Sequence, residues 1–292
     1  MGTSSVFGGQ GGNSPLVPSF VGDAGAPSSD DAADAADGAT DGTPPPSDPP
    51  QPPQRPPIPA NGDAARFSAA RNNFSRFARS GGADRASLGR AISHYVGSSA
   101  GGARGAAVRM GSARGAGSRL LGFLADATSR GVVEALRALN LGSLAGRPVE
   151  EIFLGLADYV CPDGGSVDEG IAREAFIETI VDLAAAGITD LDTLTEDQMQ
   201  TVFELYASNA IEARLCNDIG TKAVILPASA REAATVQAQL NDFIRRGVAD
   251  ALTAARAAAA TLTQDRVLGF VTRIYEQAFD ILRTMGDAEA AA

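Results

Sequence analysis

The chain has no tryptophan, one histidine, two cysteines and few aromatic residues, 5% in all. A solitary histidine, His94, has no Ser or Cys motif beside it and no GxSxG turn follows, so a nucleophile–base pair is not built here. In "RAISHYVG" it reads as a partly exposed helix residue. Cys161 and Cys216 have neither CxxC spacing nor histidine companions, which excludes a zinc site and a disulfide framework and suits free or buried thiols in a reducing compartment. Walker A, GxGxxG after a strand and HExxH patterns are all missing. No apolar run approaches the ~18 residues that span a bilayer, and the start lacks a basic n-region and an apolar h-region. The reading is of a cytoplasmic protein, not an enzyme, that binds no metal or cofactor of its own.

What the chain does have is charge, unevenly placed. The net charge of −11 hides three blocks. Residues 1–65 carry eight aspartates against Arg55, residues 66–125 ten arginines against Asp84, and residues 126–292 26 acids against 13 bases. Residues 1–22 form a Gly/Ser-rich tail with too little apolar surface to offset the entropy of ordering. Residues 23–65 alternate aspartate with alanine and then run into prolines from Pro44 to Pro59, the composition of a semi-stiff polyproline spacer. Both segments are expected to be disordered.

From Arg66 onward the apolar spacing is helical. Residues 66–118 read as an Arg/Gly-rich helical segment and residues 119–292 as a helical body, with halves at 119–160 and 168–285. "RPVEEIFLGLADYV" puts Pro148 and two glutamates in a first turn, with Ile152, Leu156, Tyr159 and Val160 as the apolar stripe. In "DEGIAREAFIETIVDLAAAG" the stripe reads Ile171, Ala175, Ile177, Ile180, Val181 and Ala184, ending at Gly187. Thr195 and Gln198 make a capping box before Val202, Leu205, Tyr206, Ile211 and Leu215. Two long helices follow, one on Val236, Leu240, Phe243, Ile244 and Val248, the other on Val267, Val271, Ile274, Phe279 and Leu282. "KAVILP" at Lys222 alone reads like a strand. The fold class is all-α, a multi-helix bundle with a long disordered N-terminal tail and Pro/Asp-rich linker.

Two features invite a chemical reading. Arg104, Arg109, Arg114 and Arg119 recur every five residues, as do Arg66, Arg71 and Arg76. Five residues turn a helix through ~500°, so these charges spread around the cylinder rather than lining a groove-facing stripe. That favours a solvated or partner-facing helix over nucleic-acid contact, with Phe67, Phe74 and Phe77 as anchors rather than stacking platforms. The second feature is "DYVCPDGGSVDEG", where Asp158, Asp163, Asp168 and Glu169 flank Gly164 and Gly165. A cation loop or a cryptic acid–base site at Asp163 is one reading; helix capping, which selects the same residues, is the stronger one.

The opening "MGTSSVFGGQGGNSPLVPSF" has its own chemistry. Removal of the initiator Met leaves the α-amine of Gly2, whose reference pKa of ~7.7 to 8.0 keeps a useful fraction nucleophilic at neutral pH. N-myristoylation would need Ser or Thr where Val6 stands, so that match fails and a different acyl donor is left open. That stretch, with "RFSAARNNFSRFARSGG", "EEIFLGLADYVCPDGGSVDEGIAREAFIETI" and "QTVFELYASNAIEARLCNDIGTKA", resembles the QatB family of the bacterial Qat anti-phage defence system. The resemblance implies a non-enzymatic subunit beside an ATPase (QatA), a QueC-like enzyme (QatC) and a TatD-like nuclease (QatD). It further implies that Gly2 is the acceptor to which the QueC-like enzyme, using ATP and 7-carboxy-7-deazaguanine, attaches a deazaguanine through an amide. Thr3, Ser4, Ser5, Gly8 and Gly9 would then enter the QatC cleft, and Phe7, Leu16, Val17 and Phe20 would anchor the tail. The competing reading is a nucleic-acid-binding adaptor of the same complex, using Arg104, Arg109, Arg114 and Arg119.

Overall fold

Capping chemistry sets where the helices begin. Ser166 accepts from the Glu169 backbone N–H at 3.2 Å while the Glu169 carboxylate accepts from Ser166 N–H at 2.9 Å, and Thr195 and Gln198 repeat the exchange at 3.2 and 3.0 Å. Asp84 accepts from Ser87 N–H at 2.9 Å in the same role. The structure, a computed structural model, describes residues 63–162, 164–191, 195–220, 229–259 and 266–292. Residues 1–62 and the "KAVILP" segment lie outside them.

Every regular element among the described residues is helical. In order they are α1 (Asp63–Arg66), α2 (Ser68–Arg79), α3 (Arg85–His94), a π-helical turn (Tyr95–Ser99), α4 (Ala103–Arg109), α5 (Ser112–Arg130) and α6 (Val132–Ala138). A 3₁₀ turn (Gly142–Leu144) leads to α7 (Val149–Val160), α8 (Val167–Ala185), α9 (Glu196–Ile219), α10 (Ala230–Ala259) and α11 (Val267–Ala291). No described helix is long and apolar enough to cross a membrane. The all-α bundle read from the sequence is the fold observed, and the described residues belong to a single compact unit, Pro57–Ala292.

The centre of that unit is α9. Its residues from Val202 to Ile211 are buried on nearly every side, Glu204 being the half-buried exception. A helix enclosed all round must be surrounded by other helices, and α8, α10, α5 and α2 supply them. Phe67, Phe74 and Phe77 are all buried, so they anchor the arginine-rich segment into the same core; each contributes about 1.5–3 kcal/mol by leaving water. The boundary read at 118/119 falls inside α5, and α11 packs along α3, α4 and α5.

Two apolar stripes differ from the sequence reading. On α8 the inward face is Ile171, Ala172, Ala175, Phe176, Thr179, Ile180 and Leu183, whereas Ile177 and Val181 are 39% and 64% exposed and Ala184 is exposed. Ile177 and Val181 are four apart and share a face, but it lies ~100° round from Phe176 and Ile180, each one residue earlier. The same one-residue displacement leaves Tyr159 at the surface of α7 while Leu156 and Val160 are buried. The stripes assigned to α9, α10 and α11 are buried throughout.

Helices α3 and α11 meet backbone to backbone. A Cβ on Gly89 would lie 2.5 Å from the Gly286 carbonyl oxygen, and one on Gly286 would lie 2.7 Å from that of Gly89. Because the obstacles are main chain, no rotamer change relieves them. Substituting Gly89→Val or Gly286→Val is expected to cost about 1–3 kcal/mol of overpacking strain, read as a lower urea midpoint by circular dichroism. Gly269→Ala, on α11 with open space around it, should leave the midpoint unchanged or raise it.

Candidate functional site

The tail residues read as acceptor and anchors, Gly2, Thr3, Ser4, Ser5, Phe7, Gly8, Gly9, Leu16, Val17 and Phe20, lie outside the described residues, as does Asp163. The arginine block lies within them, and its side chains turn largely to the protein itself. Arg104 is exposed. Arg109 Nε donates to Asp218 at 2.9 Å, and its guanidinium sits 5.0 Å over the Phe67 ring. Arg114 buries its Nε without a hydrogen-bond partner among the described residues, and its charge reaches the buried Tyr275 phenol. Arg119 Nε donates to the Val160 carbonyl at 2.8 Å.

Several of these arginines share a task. Val160 is the last residue of α7, and Arg119 occupies its carbonyl while Arg173 Nη1 takes that of Cys161 at 3.1 Å. Arg71 Nε donates to the carbonyl of Ile219, the last residue of α9, at 2.6 Å. Arg66 Nε donates to that of Ser99 at the end of the π turn. The final carbonyls of a helix have no intrahelical donor and carry its negative pole, so a guanidinium there satisfies both hydrogen bond and dipole.

The strongest electrostatic feature centres on Asp218, near the C-terminus of α9. Its side chain is 3% exposed. It accepts from Arg109 Nε, from the Tyr95 hydroxyl at 2.9 Å and from Arg214 Nε, whose ion pair with the carboxylate measures 3.2 Å. Arg214 in turn pairs with Asp168 in the first turn of α8. Above the node, Phe67 stacks on Tyr95 with ring centroids 5.5 Å apart, and Tyr95 meets Phe279 of α11 at 6.4 Å. One carboxylate thus links the π turn, α4, α8 and α9. Gly111, at φ 47°, leaves room for Asp168, since a Cβ there would collide with that carboxylate.

Burial pushes the Asp218 carboxyl up, but the Arg109 hydrogen bond, the charges of Arg214 and Arg109 and the Tyr95 hydroxyl outweigh it and hold the carboxyl below its ordinary 3.8. Burial, with Asp218 beside it, drives the Tyr95 phenol upward, so Tyr95 stays protonated as donor. Sequence reasoning missed Asp218 and Arg214. An aspartate and an arginine four apart stand near the end of α9, a spacing that an exposed helix face shows equally well.

Of the acids flanking the "CPDGGS" turn, Asp158 pairs with Arg173 at 2.9 Å, Asp168 pairs with Arg214, and Glu169 closes the Ser166 capping box. Among the described residues no group of three or more His, Cys, Asp or Glu side chains converges on a common metal position. Both cysteines are free; burial raises the Cys161 thiol to about 11 and the Cys216 thiol to about 12. His94 is exposed at the end of α3.

The described part is therefore a helical scaffold whose internal polar groups join helix ends to one another. A family model described as the Qat anti-phage system associated protein QatB matches residues 101–282, and the chain belongs to that family. No curated protein and no solved structure matches the chain. The matched span holds α4 to most of α11, including Arg109, Arg214 and Asp218.

Removing one member of a buried ion network strands the others. Asp218→Ala is expected to lose about 3–5 kcal/mol in urea denaturation, and Arg104→Ala at the surface less than about 0.5 kcal/mol. Because the folded Asp218 pKa is depressed, its contribution is complete above the unfolded value of ~3.9 and disappears as pH falls through the folded value. Wild-type stability should therefore drop more steeply below pH ~4 than that of Asp218→Asn, measured as urea midpoints across pH.

Proposed function

We propose that this chain is the acceptor subunit of its defence system: the α-amine of Gly2, exposed by loss of Met1, receives a 7-deazaguanine acyl group from the QueC-like partner QatC, and the helical body is the docking adaptor. The amine nitrogen attacks the ATP-activated acyl carbon, the activating group leaves, one proton is lost, and an amide joins the deazaguanine to glycine. ATP and 7-carboxy-7-deazaguanine belong to the partner's site, with QatA and QatD as further members of the system, all working in the cytoplasm.

The observation that carries this reading is family membership, joined to a first segment with little side chain to obstruct an approaching site. Gly2 has no Cβ, and Thr3 to Ser5 can bond a cleft through backbone and hydroxyls, while Phe7, Leu16, Val17 and Phe20 provide apolar purchase beyond the glycines. Amines are also scarce, because Lys222 is the only lysine in the chain. At pH 7 an α-amine is far less protonated than a lysine, whose reference pKa is ~10.4. The scaffold's arginines bear on the nucleic-acid alternative: Arg109 and Arg119 engage Asp218 and Val160, which leaves Arg104 the most exposed of the four for phosphate.

Intact-mass measurement of the protein co-expressed with the other Qat components, with fragmentation of the N-terminal peptide, tests the proposal. A deazaguanine amide on Gly2, absent when the QueC-like enzyme is omitted, is the expected result. An unmodified Gly2 in a system that still protects cells, or a modification on Lys222 instead, overturns it. A short N-terminal extension should abolish protection while leaving the melting temperature of the helical body in place.

A further inference from the structure

Helices α8, α9 and α10 leave between them a groove of about 870 Å³. Its floor is apolar, set by Phe74, Leu215, Ile219, Val236 and Leu240, all of them part of the core. One wall is a ridge of acids: Glu174, Glu178 and Asp182 follow each other at intervals of four along α8 and so share a face. Glu212 from α9 and Asp242 from α10 add to it. The arginine on the lining, Arg245, lies 3.8 Å from Glu204.

These carboxylates act on one another. Glu174 and Glu178 are exposed, and neither makes an ion pair among the described residues. The Glu212 carboxyl is raised above its ordinary value, chiefly by burial and further by the charges of Asp182 and Glu178, even though it accepts from Asn241 Nδ2 at 2.8 Å. Cys216 beside it is pushed up by burial and then by Glu212 and Glu174. Two groups on α9 therefore sense the same uncompensated negative potential from the α8 ridge. Like charges four apart on a helix oppose its folding, so a cation placed against the ridge relieves a repulsion that the isolated chain carries.

We propose that this groove docks a basic amphipathic helix of a partner protein, its apolar face on the Phe74–Leu215–Leu240 floor and its arginines or lysines against Glu174, Glu178 and Asp182. An apolar trough with charged walls is the form of a helix-in-groove site. From Glu174 to Asp182 the ridge runs eight residue steps, ~12 Å at the helical rise, which matches a little over two turns of a partner helix. A second copy of this chain does not suit the groove: its net charge is −11, and several arginines of its basic block are already bonded to its own helix ends. Nucleic acid is repelled by the same acids. The inference is independent of the Gly2 reading, since it concerns which surface of the body is engaged and not what happens to the tail.

The test uses the full chain and a fluorescent peptide of about 16 residues, with leucines at helical spacing and arginines on both flanks, beside a version with glutamate in place of arginine. Binding is followed by anisotropy at ~0.15 M salt, where bulk attraction between exposed charges is damped within ~8 Å. The arginine peptide is expected to bind saturably and the glutamate peptide not to bind. The triple change Glu174→Gln, Glu178→Gln, Asp182→Asn should weaken binding by about tenfold or more, equivalent to ~1.4 kcal/mol, with an unchanged or raised melting temperature. Glu134→Gln, Glu150→Gln, Glu151→Gln alters net charge equally on α6 and α7 and should leave affinity within about twofold. Should the first triple variant misfold, Glu178→Arg alone, at an exposed position, replaces it with the same expectation. No saturable binding, an equal loss in both triple variants, or no loss in the groove variant each overturns the proposal.

Discussion

The body depends on a carboxylate that is almost wholly turned away from water. Asp218 is held by Arg109, Arg214 and Tyr95, and each partner arrives from a different place in the chain. Removing two or three charges from water is costly, and the mutual attraction offsets that cost only when the remaining hydrogen bonds are made. Here they are, which ties the register of the π turn, α4 and the start of α8 to the end of α9. Hydrophobic packing alone would tolerate small sliding of these helices; a shared carboxylate with directional donors does not.

This node also explains the position of the arginine block. The last carbonyls of the 24-residue α9 have no intrahelical donor, and the end of that helix is only partly open to water. Arg71 reaches the end of α9, and Arg119 and Arg173 reach the end of α7. The Gly/Ala-rich sequence between the arginines is the complement of that task, because small residues let α4 and α5 pack closely on α11 and leave long side chains free to cross between helices. Ala106, Ala107, Ala113 and Ala116 are all buried. Arginine suits this better than lysine, since a planar guanidinium with several donors bonds an acceptor oxygen while its face packs on an aromatic ring, as Arg109 does between the Asp218 carboxylate and Phe67.

Helix identity and capping were legible because they are local. The Ser166–Glu169 and Thr195–Gln198 boxes and the stripes of α9 to α11 depend on spacings of three and four, which sequence displays directly. The α8 stripe was misassigned where that helix offers apolar residues on two faces, and periodicity cannot say which face has neighbours. The five-residue arginine repeat reads from sequence as charge spread around one solvated or partner-facing cylinder, but the structure divides it among α1, α2, α4 and α5, and Arg66, Arg71 and Arg119 reach helix-end carbonyls while Arg109 reaches Asp218. Asp218 was missed for a related reason: its pairing with Arg214 is local, but the partners that bury it lie 109 and 123 residues away.

A consequence of this arrangement is electrostatic asymmetry in the folded body. Positive charge is concentrated in residues 66–125 and much of it is turned to carbonyls and to Asp218, while acids such as Glu174 and Glu178 stay exposed. Net charge then understates how negative parts of the surface are, because an internal ion pair cancels itself and casts little field outward. Such a surface draws cationic protein segments and repels phosphate backbones at long range, with an apolar groove on the same face to retain what it draws. For a member of a multi-component defence system, specificity of this kind is set before contact, by which neighbours can approach, and afterwards by what fits the groove.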